Sequence, residues 1–127
     1  MKEQVSTQRA PAAIGPYSQG VVGQGMVFVS GQLPIEPATG AMPEAAADQA
    51  RQSLANVGAI LEAAGSSMAG VVKTTIFLAD MGDFAAVNEV YAAAFPAPFP
   101  ARSCFAVSAL PKGAKVEIEA IAVKEEK

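Results

Sequence analysis

The 127-residue chain is 51% hydrophobic and only 17% charged, carries a net charge of −3 and contains no histidine. That balance argues against a basic polyanion-binding surface, and the missing histidine removes Ser/His/Asp triads, Cys–His pairs and the commonest zinc ligand together. Metal chemistry would rest on carboxylates alone, and no spacing supports it, so no metal is expected. The length suits one domain over residues 1–127, and the apolar excess reads as subunit interface. No apolar run approaches the ~20 residues of a membrane span. Met1-Lys2-Glu3-Gln4 opens no signal-peptide core and the single cysteine forms no internal disulfide, so a cytoplasmic protein is expected.

Ala10-Pro11-Ala12-Ala13-Ile14-Gly15-Pro16-Tyr17 carries two prolines and a glycine and predicts an ordered loop presenting Tyr17. Residues 20–22 and 26–30 read as a hairpin about Gly23-Gln24-Gly25. Ser30-Gly31-Gln32 ends the second strand, and Pro34, Pro37, Gly40 and Pro43 make the following stretch a loop. Over 44–64 the period becomes helical. Leu54, Val57, Leu61 and Ala64 form the stripe, and Gln49, Gln52, Asn56 and Glu62 avoid it.

Val71–Leu78 is rich in β-branched residues and predicts a buried strand. A second helix follows over 80–95, with Asp80 and Asp83 at its N-terminal end and Phe84, Val87, Tyr91 and Phe95 on one face. Pro96, Pro98 and Pro100 make a stiff connector into a strand holding Arg102, Cys104 and Ala106 on one face. The last strand, Val116–Val123, puts Val116, Ile118, Ala120 and Ala122 on one face and Glu117, Glu119, Ile121 and Val123 on the other. The order predicts an α+β fold, a mixed sheet covered on one side by two helices, with the opposite face bare.

Arg102 is one of three arginines and sits in an apolar run, Phe99-Pro100-Ala101-Arg102-Ser103-Cys104. A planar fork of fixed charge there calls for a carboxylate or phosphate, from a ligand or from the protein as a salt bridge to Glu117 or Glu119. Arg102 and Glu117 are expected on hairpin-related strands. The two glutamates are either cation-paired, shifted in pKa toward general-base duty, or ordinary solvent-side residues. Cys104 reads as a small buried hydrophobe rather than a nucleophile, since no histidine draws off its proton. Ser30 offers a hydroxyl or backbone donor at a strand end. Tyr17 is either packed or a pocket wall, and Asn88 needs a partner, expected in a loop backbone.

These segments together resemble the Rid family, also called YjgF/YER057c/UK114, and more narrowly its RidA subfamily. They are 10–19, Ser30-Gly31-Gln32, Val71-Val72-Lys73-Thr74-Thr75, Phe84 with Val87-Asn88 and Tyr91, 99–104 and Val116–Val123. The resemblance implies a chorismate-mutase-like α+β fold assembled as a homotrimer, with an inner barrel of sheets and three clefts between subunits. It implies deamination of 2-imino and 2-enamino acids, released by pyridoxal-phosphate dehydratases, to 2-keto acids and ammonia, without a cofactor. By position, Arg102 would clamp the substrate carboxylate and Glu117 would orient the water, with the Cys104 backbone assisting. Tyr17, Ser30 and Gly31 would line the cleft, with Asn88 and Glu119 in support. The connector Pro96-Ala97-Pro98 is shorter than in many relatives, which bears on substrate size. A non-catalytic carboxylate binder, a chaperone-like protein and a ribonuclease-type translation inhibitor stand as alternatives; nucleic acid and membrane partners are not expected.

Overall fold

Six strands and two helices make up the computed structural model, which describes residues 1–125. The strands are β1 (Glu3–Val5), β2 (Gly20–Gly23), β3 (Met26–Gln32), β4 (Val71–Leu78), β5 (Ala101–Ala106) and β6 (Val116–Val123). They form one sheet in the order β1-β2-β3-β6-β4-β5, antiparallel throughout except for the parallel β4–β5 pair. Helices α1 (Ala46–Ala63) and α2 (Phe84–Ala94) both pack on one face. Ile60 and Leu61 of α1 meet Ile76, Leu78 and Ile118 of the sheet, all fully buried. Each such side chain contributes roughly 1.5–3 kcal/mol of transfer free energy.

The hairpin closes through Gln24 and Gly25, both at positive φ (54° and 74°), the mirror-image turn that suits twisted strands. Strand β1 is absent from the sequence reading. Its three residues are too short and too polar to show a period, and they gain strand form by pairing with β2. The second helix also differs from expectation. Asp80 accepts a hydrogen bond from the Gly82 N–H at 2.8 Å, a 3-10 turn spans Met81–Asp83, and the α-helix starts only at Phe84.

In α1 the expected stripe is buried, but Gln49 and Asn56 are buried too, at 4% and 1% exposure. The proline-rich loop lies across the helix and offers carbonyls that need donors. Asn56 Nδ2 donates to the Leu33 and Ile35 carbonyls, and Gln49 Nε2 donates to that of Pro43.

Strand β6 alternates as predicted, with Val116, Ile118, Ala120 and Ala122 buried under the helices. The other face is bare. Phe28 and Phe105 lie there about half exposed, beside Ile121 and Phe77. A second correction concerns β5, which pairs with β4 alone. Strand β4 separates it from β6, so Arg102 and Glu117 are not on neighbouring strands.

Candidate active site

Strand β5 is the sheet's last strand, and Arg102 pairs there with Thr74, whose side chain is buried against α2. Residues paired across a ladder share a face, so Arg102 also points to the helix side. Its Nη1 donates to Asn88 Oδ1 at 2.6 Å. The guanidinium carbon lies 4.9 Å from the Tyr91 ring centroid and 5.5 Å from that of Phe84. Phe84, Asn88 and Tyr91 follow one another at four and three residues, the spacing that lines a single helix face. The partner of Asn88 is therefore a side chain, not the loop backbone expected. The amide sits one turn from each ring and meets the cation they frame.

Arg9 pairs with Glu62 at 2.9 Å and Arg51 with Asp48 at 2.5 Å. Among the described residues Arg102 has no carboxylate within 4.0 Å, so the expected internal salt bridge is absent. Instead the guanidinium opens on a cavity of about 430 Å³ lined with Asn88, Tyr91, Ala92, Phe99 and Pro100. Cys104 shares the Arg102 face and packs against the core. Burial pushes its thiol pKa up and Arg102 only partly offsets this, which suits a protonated, inert thiol.

Glu117 belongs to a different place. It pairs with Phe77 on the bare face, and its carboxylate crosses Gly31. A Cβ on Gly31 would stand 2.0 Å from Glu117 Oε2, so only glycine leaves this position open. Between Val29 and Gln32 strand β3 holds one residue more than its partner, since these pair with Ala120 and Ile118. This bulge turns Ser30 and Gly31 out of the ladder. Ser30 Oγ donates to the Ser18 carbonyl at 2.6 Å and its N–H to that of Gln19 at 2.9 Å. These bonds tie the bulge to the loop carrying Tyr17, half exposed, whose hydroxyl accepts from the Ile14 N–H at 3.4 Å.

Burial first, and the neighbouring Glu119 charge second, raise the Glu117 pKa above the usual carboxylate value. Among the described residues neither glutamate has a cation within 4.0 Å, which removes the paired reading. The structure thus gathers Arg102, Asn88 and Cys104 on one side of the sheet, and Ser30, Gly31, Glu117 and Glu119 on the other. Phe84, Tyr91 and Thr74 around Arg102 were not read as site residues. The signal for Phe84 and Tyr91 is the helix face they share with Asn88, whereas Thr74 lies on β4.

The β3–α1–β4 crossover split by β6, the direct β4–α2–β5 crossover and the one-sided helical layer define a chorismate-mutase-like α+β protein. A family model described as Endoribonuclease L-PSP matches residues 7–124, and the chain belongs to that family, the Rid family, in its RidA subfamily. It is 56% identical over 127 residues to the 2-iminobutanoate/2-iminopropanoate deaminase of Salmonella typhimurium, covering 98% of this chain and 99% of that protein. The Bos taurus protein of the same name is 53% identical over 121 residues, covering 94% of this chain and 88% of that one. The crystal structure of Escherichia coli TdcF with bound serine superposes with a TM-score of 0.92 at 52% identity, covering 97% and 99% of the two chains.

Proposed function

We propose that this chain, one Rid domain over residues 1–127, is a 2-iminobutanoate/2-iminopropanoate deaminase that hydrolyses 2-imino acids to 2-keto acids and ammonia. The observation that carries the reading is Arg102, the one arginine without a carboxylate partner among the described residues, facing an open cavity. Its fork takes the substrate carboxylate in two parallel hydrogen bonds and so fixes the adjacent imine carbon. Glu117 accepts a proton from a water as the water oxygen bonds to that carbon, and the imine nitrogen takes up a proton. The resulting carbinolamine loses its C–N bond, releasing ammonia, while the hydroxyl becomes the keto group. Addition of water and elimination of ammonia exchange no electrons, so the step calls on no redox group.

Arg102 and Glu117 point to opposite sides of one sheet, so a substrate held by both lies between two subunits. On this reading Arg102, Asn88 and the Cys104 backbone come from one protomer, and Tyr17, Ser30, Gly31 and Glu117 from the next. Three such clefts close a homotrimer, with the bare apolar sheet faces turned inward. Positioning together with general-base catalysis supplies several powers of ten at most, enough for an imine that already hydrolyses in water.

Generating 2-iminopropanoate in situ with a serine dehydratase and following imine loss tests the reading. Wild type accelerates the loss and Arg102→Ala does not; equal rates for the two refute it. Saturable 2-ketobutyrate binding with no acceleration by wild type would make the protein a carboxylate binder instead.

A further inference from the structure

Behind the guanidinium, Tyr91 and Thr74 join hydroxyls at 2.7 Å, a buried contact reaching from α2 to β4. Thr74 is the ladder partner of Arg102, so this pin rises from the strand position next to the arginine it serves. Both residues are almost wholly enclosed, at 4% and 1% exposure. If Tyr91 only filled core, a phenylalanine ring would suffice, since a buried hydroxyl stabilises nothing until it finds a partner. Here the partner also anchors the tip of the ring to the strand beneath it. The Tyr91 ring is backed by Phe95, with centroids 4.7 Å apart, and turns its face to the Arg102 guanidinium.

We propose that Tyr91 and Thr74 are positioning residues for Arg102, their hydroxyl pair locking the aromatic floor that sets the plane of the guanidinium toward the substrate acid. Stacking works through the ring face, out of the guanidinium plane, so it holds the cation without using its in-plane donors. Asn88 takes one of those donors, and the remaining edge of the fork stays open toward the cavity. Burial raises the Tyr91 pKa against the opposing pull of Thr74 and Arg102, consistent with a floor that stays a neutral phenol. Resting on the reading of Arg102 as the substrate clamp, this gives Tyr91 and Thr74 a role in orienting that clamp.

The test compares Thr74→Val, Tyr91→Phe, their double variant and Thr74→Ser. Its readouts are kcat and KM for the imine, calorimetric Kd for 2-ketobutyrate, and the NMR signal of the Arg102 Nε–H in the free protein. Thr74→Val and Tyr91→Phe each raise KM and Kd about three- to tenfold, with kcat held within about twofold. The double variant matches the singles because all three break the same bond. Thr74→Ser, which keeps a hydroxyl, restores wild-type values. The Arg102 signal, shifted upfield by the ring beneath it and assigned by its loss in Arg102→Lys, moves toward the ordinary arginine position when the pin is removed.

Unchanged KM and Kd in Thr74→Val, even with a lowered melting temperature, overturn the proposal. If wild type neither consumes imine nor binds the keto acid, the functional reading fails. The ligand-free Arg102 signal then still decides the positioning, upheld if it moves in Thr74→Val and overturned if it does not.

Discussion

Gly31→Ala separates what Gly31 does for the fold from what it does for the chemistry. The new Cβ lies 2.0 Å from Glu117 Oε2 and 2.9 Å from its Cδ, so the carboxylate must retreat to reach the 3.4 Å of ordinary contact. The obstructing group is the end of a flexible side chain, and Gly31 does not adopt the positive φ that would strain an alanine. Folding stability therefore stays level or rises by about 0.4–1 kcal/mol, since alanine restricts the unfolded chain. Catalysis does not share this tolerance. Moving the base by more than about 1 Å costs on the order of 10²-fold in kcat/KM, roughly 2.7 kcal/mol of transition-state stabilisation. Imine loss in the coupled assay and a urea titration of the same sample read the two effects side by side. Gly23→Ala is the control, because its Cβ meets nothing within 4 Å. Wild-type kcat/KM in Gly31→Ala, or a collapse in stability, refutes the assignment of Gly31 as the seat of the Glu117 carboxylate.

Arg102→Lys keeps the charge but loses the planar fork, and kcat/KM for the imine falls roughly 10- to 100-fold. Because the Glu117 pKa is raised, its base form disappears as pH falls through that raised value. Glu119→Gln removes one of the two causes and moves the acid limb of the kcat/KM profile to lower pH, read from rates across the acid range. For stability the sign is opposite to that of a salt-bridged carboxylate. The folded chain holds the Glu117 proton more tightly than the unfolded one, so stability falls as pH rises from the ordinary value of 4.5 through the raised one, and Glu117→Gln flattens that slope in urea titrations. Gly20→Ala places a Cβ 2.9 Å from Ile60 Cγ2 and 3.3 Å from the Phe28 carbonyl. Overpacking there costs about 1–3 kcal/mol, seen as a lower urea midpoint with an unchanged slope.

Elements with strong periods were legible in the sequence. The alternation of β6, the stripe of α1 and the β-branched run of β4 each arise from burial on one side, which residue order records directly. Strand β1 and the burial of Gln49 and Asn56 were not, because each depends on a distant partner: β2 for the strand, loop carbonyls for the amides. The isolation of Arg102 was visible as a lone guanidinium in an apolar run, yet its cradle was not. Asn88 reads as an amide in need of a partner, and only the β4–α2–β5 crossover shows that the partner is Arg102. The bulge at Ser30–Gly31 was equally silent, since an extra residue is defined only against the strand it faces.

On the proposed trimer, the opposed directions of Arg102 and Glu117 make each folded chain a donor of two unlike halves, neither of which completes the other. Inactive subunits should then heal one another. In a ring of three mixed from Arg102→Ala and Glu117→Gln chains, every hybrid regains a single intact cleft where the sound halves adjoin. Random reassembly of equal amounts returns roughly a quarter of the wild-type rate, whereas each parent alone returns almost none.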